Sequence, residues 1–90
     1  VAAATEYTTP ITAPSHGVMT VEVGAVTGAL ELRTTSAGDG RVRASVRYAG
    51  AEEWYEVRGG TCELTEDADH AAVHALLVGV LDWPGKVSSG

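Results

Sequence analysis

The sequence predicts an α+β fold: a four- to five-stranded antiparallel meander sheet with one C-terminal α-helix packed on one face. Three observations carry that prediction. Apolar and polar residues alternate over four short runs between residues 18 and 57, the period of a half-buried strand. The connections GAVTG, SAGDG and AGAE are short and Gly-rich, which suits hairpins and leaves no room for the crossover helices of a parallel sheet. Residues 65 to 83 then switch to helical spacing and carry no formal charge between Asp69 and Asp82.

Residues 1–17, VAAATEYTTPITAPSHG, hold two prolines and no sustained period, and are expected as a flexible or extended N-terminal segment. The single α+β domain is expected over 18–85, with 86–90 as a flexible tail. In VMTVEV, the residues Met19, Val21 and Val23 share one face. Leu30 with Leu32, then Val42, Ala44, Val46 and Tyr48, then Tyr55 with Val57, repeat the pattern. A fifth strand, TCEL, would turn Cys62 and Leu64 inward.

Thr65 is a natural N-cap for the helix, with Glu66, Asp67 and Asp69 in the first turn where the helix dipole favours negative charge. Trp83-Pro84-Gly85 ends it. At 100° per residue, Val73, Leu76, Leu77, Val80 and Leu81 form a large apolar face expected on the sheet. The opposite stripe, Ala71, Ala75 and Gly79 with Val78 beside it, is small and uncharged. A helix apolar on nearly every side needs cover on both. In 90 residues the sheet is one cover, and a second copy is the simplest other. The expected interface is Ala71, His74, Ala75, Val78 and Gly79, and the expected state a homo-oligomer, most simply a dimer.

The outer face of the sheet offers a second surface. Pairing Leu32 with Ala44, and Ala44 with Val57, puts Arg33, Arg43 and Arg58 in one row and sets Arg47 against Trp54. Like charges side by side are destabilising, so such a row would hold an anion, an acidic peptide or a nucleic-acid strand, or be neutralised by Glu31 and Glu56 nearby. Asp67, His70 and His74 have metal-ligand spacing on a helix, but three side chains fall short of a structural zinc site and lack the Glu of an HExxH helix. No metal or cofactor is therefore expected.

Composition narrows the function classes. The net charge is -6, and residues 49–90 carry all of the excess: eight acidic groups against Arg58 and Lys86. Nucleic-acid binders usually carry a basic excess that neutralises phosphates, which makes that partner class a poor fit. A lone cysteine, Cys62, excludes an internal disulfide and suits a reducing, cytoplasmic setting. No apolar run reaches the roughly 18 residues of a membrane span, and no secretory start is visible. The absence of Asn, Gln and Phe, with five Arg against one Lys, suggests a GC-rich bacterial origin. Neither a phosphate-binding glycine loop nor a nucleophile elbow is present. The expectation is a non-enzymatic protein-interaction or regulatory module, with anion or nucleic-acid binding through the sheet face as the alternative and a metal site on the helix after that.

Overall fold

The computed structural model describes residues 4–38, 40–64 and 66–82, with only the backbone described at Asp67. It is an α+β arrangement of six strands and one helix: β1 (Thr5–Thr12), β2 (Val18–Thr20), β3 (Gly24–Val26), β4 (Ala29–Ser36), β5 (Arg41–Tyr48), β6 (Tyr55–Glu63) and α1 (His70–Leu81). The spatial order is β1-β4-β5-β6-β2-β3, and every pairing is antiparallel. The meander is β4-β5-β6, extended by β1 at one edge and the β2-β3 hairpin at the other.

The alternation at Leu30, Leu32, Val42, Ala44, Val46 and Val57 buries these side chains on one face, as period two requires. Ile11, Ala13, Val18 and Val26 complete the core, and Leu77, Val78 and Leu81 of α1 pack on it. The helix is placed over β1 and β4.

The structure departs from the sequence expectation in both its strands and its helix. Residues 1–17 contain β1, which pairs with β4 along its whole length from Thr5↔Ser36 to Thr12↔Ala29. Its Pro10 is tolerated because β1 is an edge strand. In VMTVEV the parity is inverted: Val18 and Thr20 are buried, while Met19, Val21 and Val23 are exposed. The cause is a turn that starts at Thr20, whose hydroxyl donates to the Gly24 carbonyl at 2.6 Å and accepts from the Val23 N–H at 3.2 Å. That side chain closes the β2-β3 hairpin from inside.

The β4-β5 register is shifted by two residues, so that Leu32 faces Val46 and Arg33 faces Ser45. Gly38 and Gly40 both take positive φ, and the loop they form is wider than a turn closed at Ser36 and Gly40. The β5-β6 register is irregular between Arg43 and Ser45. There Gly59 has φ +73°, and a Cβ on Gly60 would lie 3.0 Å from the Ala44 and Val57 Cβ atoms and from the Val57 carbonyl oxygen. RGG is thus an irregularity within β6, and TCE continues that strand instead of forming a fifth.

The helix is shorter than 65 to 83. A 3-10 turn at Asp67–Asp69 leads into α1, and Asp69 at the N-cap makes no side-chain cap bond. The expected cap Thr65, the Trp83-Pro84-Gly85 stop and the 86–90 tail lie outside the described residues. At the other end, the Asp82 N–H donates to the Val78 carbonyl at 2.9 Å. The Asp82 carboxylate accepts the Thr12 backbone N–H at 2.8 Å. A carboxylate at a helix C-terminus opposes the dipole. Here it ties the end of α1 to the end of β1.

Candidate functional site

The face that α1 presents to the sheet is His70, His74, Leu77, Val78 and Leu81, rotated from the expected apolar face. Leu77 and Leu81 remain on it. Leu76 and Val80 turn outward, 65% and 57% exposed, and the two histidines take their place at 1% and 8%. His74 and Val78, expected at an interface with a second copy, therefore face the sheet of their own chain.

Buried imidazoles must find partners for both ring nitrogens. Thr5 and Thr9 lie four residues apart on β1, about 13 Å at strand rise, whereas His70 and His74 are about 6 Å apart along a helix. The rings splay to span the difference. The outward nitrogens reach the strand ends: the Thr5 hydroxyl is 2.7 Å from His70 Nδ1, and the Thr9 hydroxyl is 2.7 Å from His74 Nε2. The inward nitrogens converge on one atom. Thr34 Oγ1, paired across from Tyr7 on β4, lies 2.9 Å from His70 Nε2 and 2.8 Å from His74 Nδ1. The Tyr7 ring packs edge-on against His70 at 4.7 Å and tilted against His74 at 5.5 Å.

This chain of five side chains has a direction. Thr34 has one hydroxyl proton, so it donates to one neutral imidazole and accepts from the other. If it donates to His74 Nδ1, both rings carry the proton on Nε2; if it donates to His70 Nε2, both carry it on Nδ1. The two tautomers are locked together. Burial is the larger cause, and the neighbouring His70 the smaller, of a His74 pKa held below the ordinary 6.5. All four ring nitrogens of His70 and His74 are taken by threonine hydroxyls, and the Asp67 side chain of the expected trio lies outside the described residues. Among the described residues, no group of three or more His, Cys, Asp or Glu side chains could hold a metal ion.

The solvent face of α1 is formed by Ala71, Ala72, Ala75, Leu76 and Gly79, all exposed and uncharged. Beside it lies an apolar groove of about 250 Å³ lined by Val42, Gly60, Cys62, Val73, Leu76 and Leu77 among others. Cys62 is opposite buried Val42, on the inner side as strand parity requires, yet it is exposed. The helix over β1 and β4 does not cover the far end of β6.

On the outer face of the sheet the three-arginine row is not formed. Arg33 faces Ser45, Arg43 lies between Thr35 and Thr61, and Arg58 falls in the irregular stretch of β6. Trp54 is met by two guanidinium groups, Arg47 at 4.5 Å as expected and Arg33 at 4.0 Å. Arg47 also donates from Nε to Glu31 at 2.5 Å, while the buried Arg33 Nε has no hydrogen-bond partner. Arg33, Arg47 and Glu31 on this face are thus engaged with one another or with Trp54.

Thr5, Tyr7, Thr9 and Thr34 escape sequence reading because β1 has no apolar alternation. The available signal is matched spacing: two threonines four apart in a β-branched, aromatic run, and two histidines four apart in an otherwise apolar helix. No protein-family model matches the chain, and no curated protein or solved structure matches it either. No described helix is long and apolar enough to cross a membrane.

Proposed function

We propose that this chain is a small interaction module that associates with a second copy of itself through the solvent face of α1. The observation that supports this reading most is the uncharged surface running from Ala72, Ala75, Leu76 and Gly79 into the groove beside Val42 and Cys62. A helix about 10–12 Å across covers roughly two strands spaced 4.7–4.9 Å apart. The inner residues Val18, Val26, Val46 and Val57 are already buried within the chain, so the place left open is the groove between α1 and the Cys62 end of β6. The α1 of a second copy, lying beside the first, fits that place by apolar character and by symmetry.

Gly79 supports the same occupant. Glycine in a helix interior costs about 0.8–1 kcal/mol against alanine, yet among the described residues a Cβ at Gly79 would meet no atom within 4 Å outside its own helix backbone. No described residue calls for its smallness, whereas a close helix crossing does.

Light scattering of the full chain over a range of concentrations at pH 7.5 tests the reading. A dimer is expected for the natural chain, and a monomer with unchanged circular dichroism for Gly79→Leu. A monomer at every concentration, or an unaltered dimer in the variant, would remove the helix seam.

A further inference from the structure

We propose that the Thr5-His70-Thr34-His74-Thr9 chain is an acid-sensitive clasp, which holds α1 on β1 and β4 at neutral pH and releases it when both imidazoles are protonated. This goes beyond self-association and does not depend on it, since the clasp lies wholly within one chain.

The proton count carries the inference. With both rings neutral, four hydrogen bonds are satisfied by either of the two matched tautomer arrangements. One added proton is still accommodated. An imidazolium at His70 donates to Thr5 and Thr34, Thr34 donates to His74 Nδ1, and His74 Nε2 donates to Thr9. The second added proton is not. Two N–H groups then point at Thr34 Oγ1, whose own proton neither imidazolium can accept, and two positive charges sit on either side of a fully buried hydroxyl.

Among the described residues the surroundings offer no compensation. From β1, Thr5, Tyr7 and Thr9 face the pair; from β4, Leu32, Thr34 and Ser36 do so, and none is charged. Glu6, Glu31 and Arg33 point to the opposite side of the sheet by strand parity. On α1 there is no acidic or basic residue besides the histidines. The flanking carboxylates that are described, Glu66, Asp69 and Asp82, lie before and after the helix, and Asp82 is engaged with Thr12. Exposed Thr5 gives solvent protons an entry at one end.

The sign follows from the depressed His74 value. The released helix binds the proton more tightly than the docked one. Docking is therefore complete above the ordinary 6.5 and weakens as pH falls from there toward the lowered value, below which the loss is constant. The remaining helix contacts, Leu77, Val78 and Leu81 on the core, cover only the C-terminal half of α1.

Amide hydrogen exchange and ring-nitrogen shifts, measured by NMR on the full chain from pH 7.5 to 4.5, test the clasp. Corrected for intrinsic exchange, α1 protection is expected to fall at least tenfold while β4 and β5 stay protected, in step with uptake of the second proton by the pair. His74→Leu should move this loss at least one pH unit lower. Asp82→Asn, which keeps an oxygen for Thr12, should leave it in place. Two protonated rings in a chain whose α1 amides remain protected would overturn the proposal. So would an unchanged midpoint in His74→Leu. If that variant does not fold, the ring titration of the natural chain alone decides the outcome.

Discussion

Replacing Thr34 by valine or by serine separates its hydroxyl from its methyl group, and the two substitutions should rank opposite to strand propensity. Thr34 is fully buried, and His70 and His74 nearly so. Valine keeps the shape but leaves two imidazole nitrogens without their shared partner. At about 1–3 kcal/mol for each unsatisfied buried group, less the gain from an extra buried methyl of about 0.8 kcal/mol, the expected loss is about 3 kcal/mol. Serine keeps the hydroxyl and gives up one methyl, an expected loss of about 1 kcal/mol. Domains of this size have total stabilities of about 5–13 kcal/mol, so both effects fall within reach of urea unfolding followed by circular dichroism. Strand propensity alone favours valine over serine. A Thr34→Val chain as stable as Thr34→Ser, or more so, would refute the hydrogen-bond account of how α1 is held.

Gly60→Ala should destabilise by about 1–3 kcal/mol, because its Cβ would press on Ala44, Val57 and the Val57 backbone, each at 3.0 Å; urea unfolding checks it, and a neutral effect would mean that β6 can shift at its irregular stretch. Gly79→Ala should instead raise the stability of the monomer by about 0.8–1 kcal/mol, since the added Cβ meets none of the other described residues within 4 Å. Thermal unfolding at a concentration too low for association reads this gain, and a loss would show that Gly79 has a role within the chain.

The strands legible in the sequence are those whose apolar residues meet one side only. Leu30, Leu32, Val42, Ala44, Val46 and Val57 all show the alternation and all are buried. β1 shows none, because its inner row of Thr5, Tyr7 and Thr9 is polar and its partners are histidines from the far end of the chain. For the same reason the sequence alone does not show the helix face: hydrophobicity assigns His70 and His74 to the edge, and only a strand that supplies hydroxyls makes burial favourable. Met19, Val21 and Val23 mislead in the other direction, since a turn fixed by the Thr20 hydroxyl exposes them. The contact of Arg47 with Trp54 was legible because the β5-β6 register near the connecting loop follows from hairpin closure, whereas the Gly59-Gly60 irregularity displaces Arg58 beyond it.

The clasp joins the first strand of the described chain to its last helix, with Thr5 and His70, like Thr9 and His74, 65 positions apart in sequence. Long chain closures are slow to form because their entropy is lost before the contact is gained. The β4-β5-β6 hairpins need no such closure, and β1 must already lie beside β4 before Thr5, Thr34 and Thr9 present three hydroxyls to the helix. Docking of α1 is therefore expected as the last folding event, and its contacts should be largely absent from the transition state. Mutations in the clasp would then hasten unfolding while leaving the refolding rate nearly unchanged.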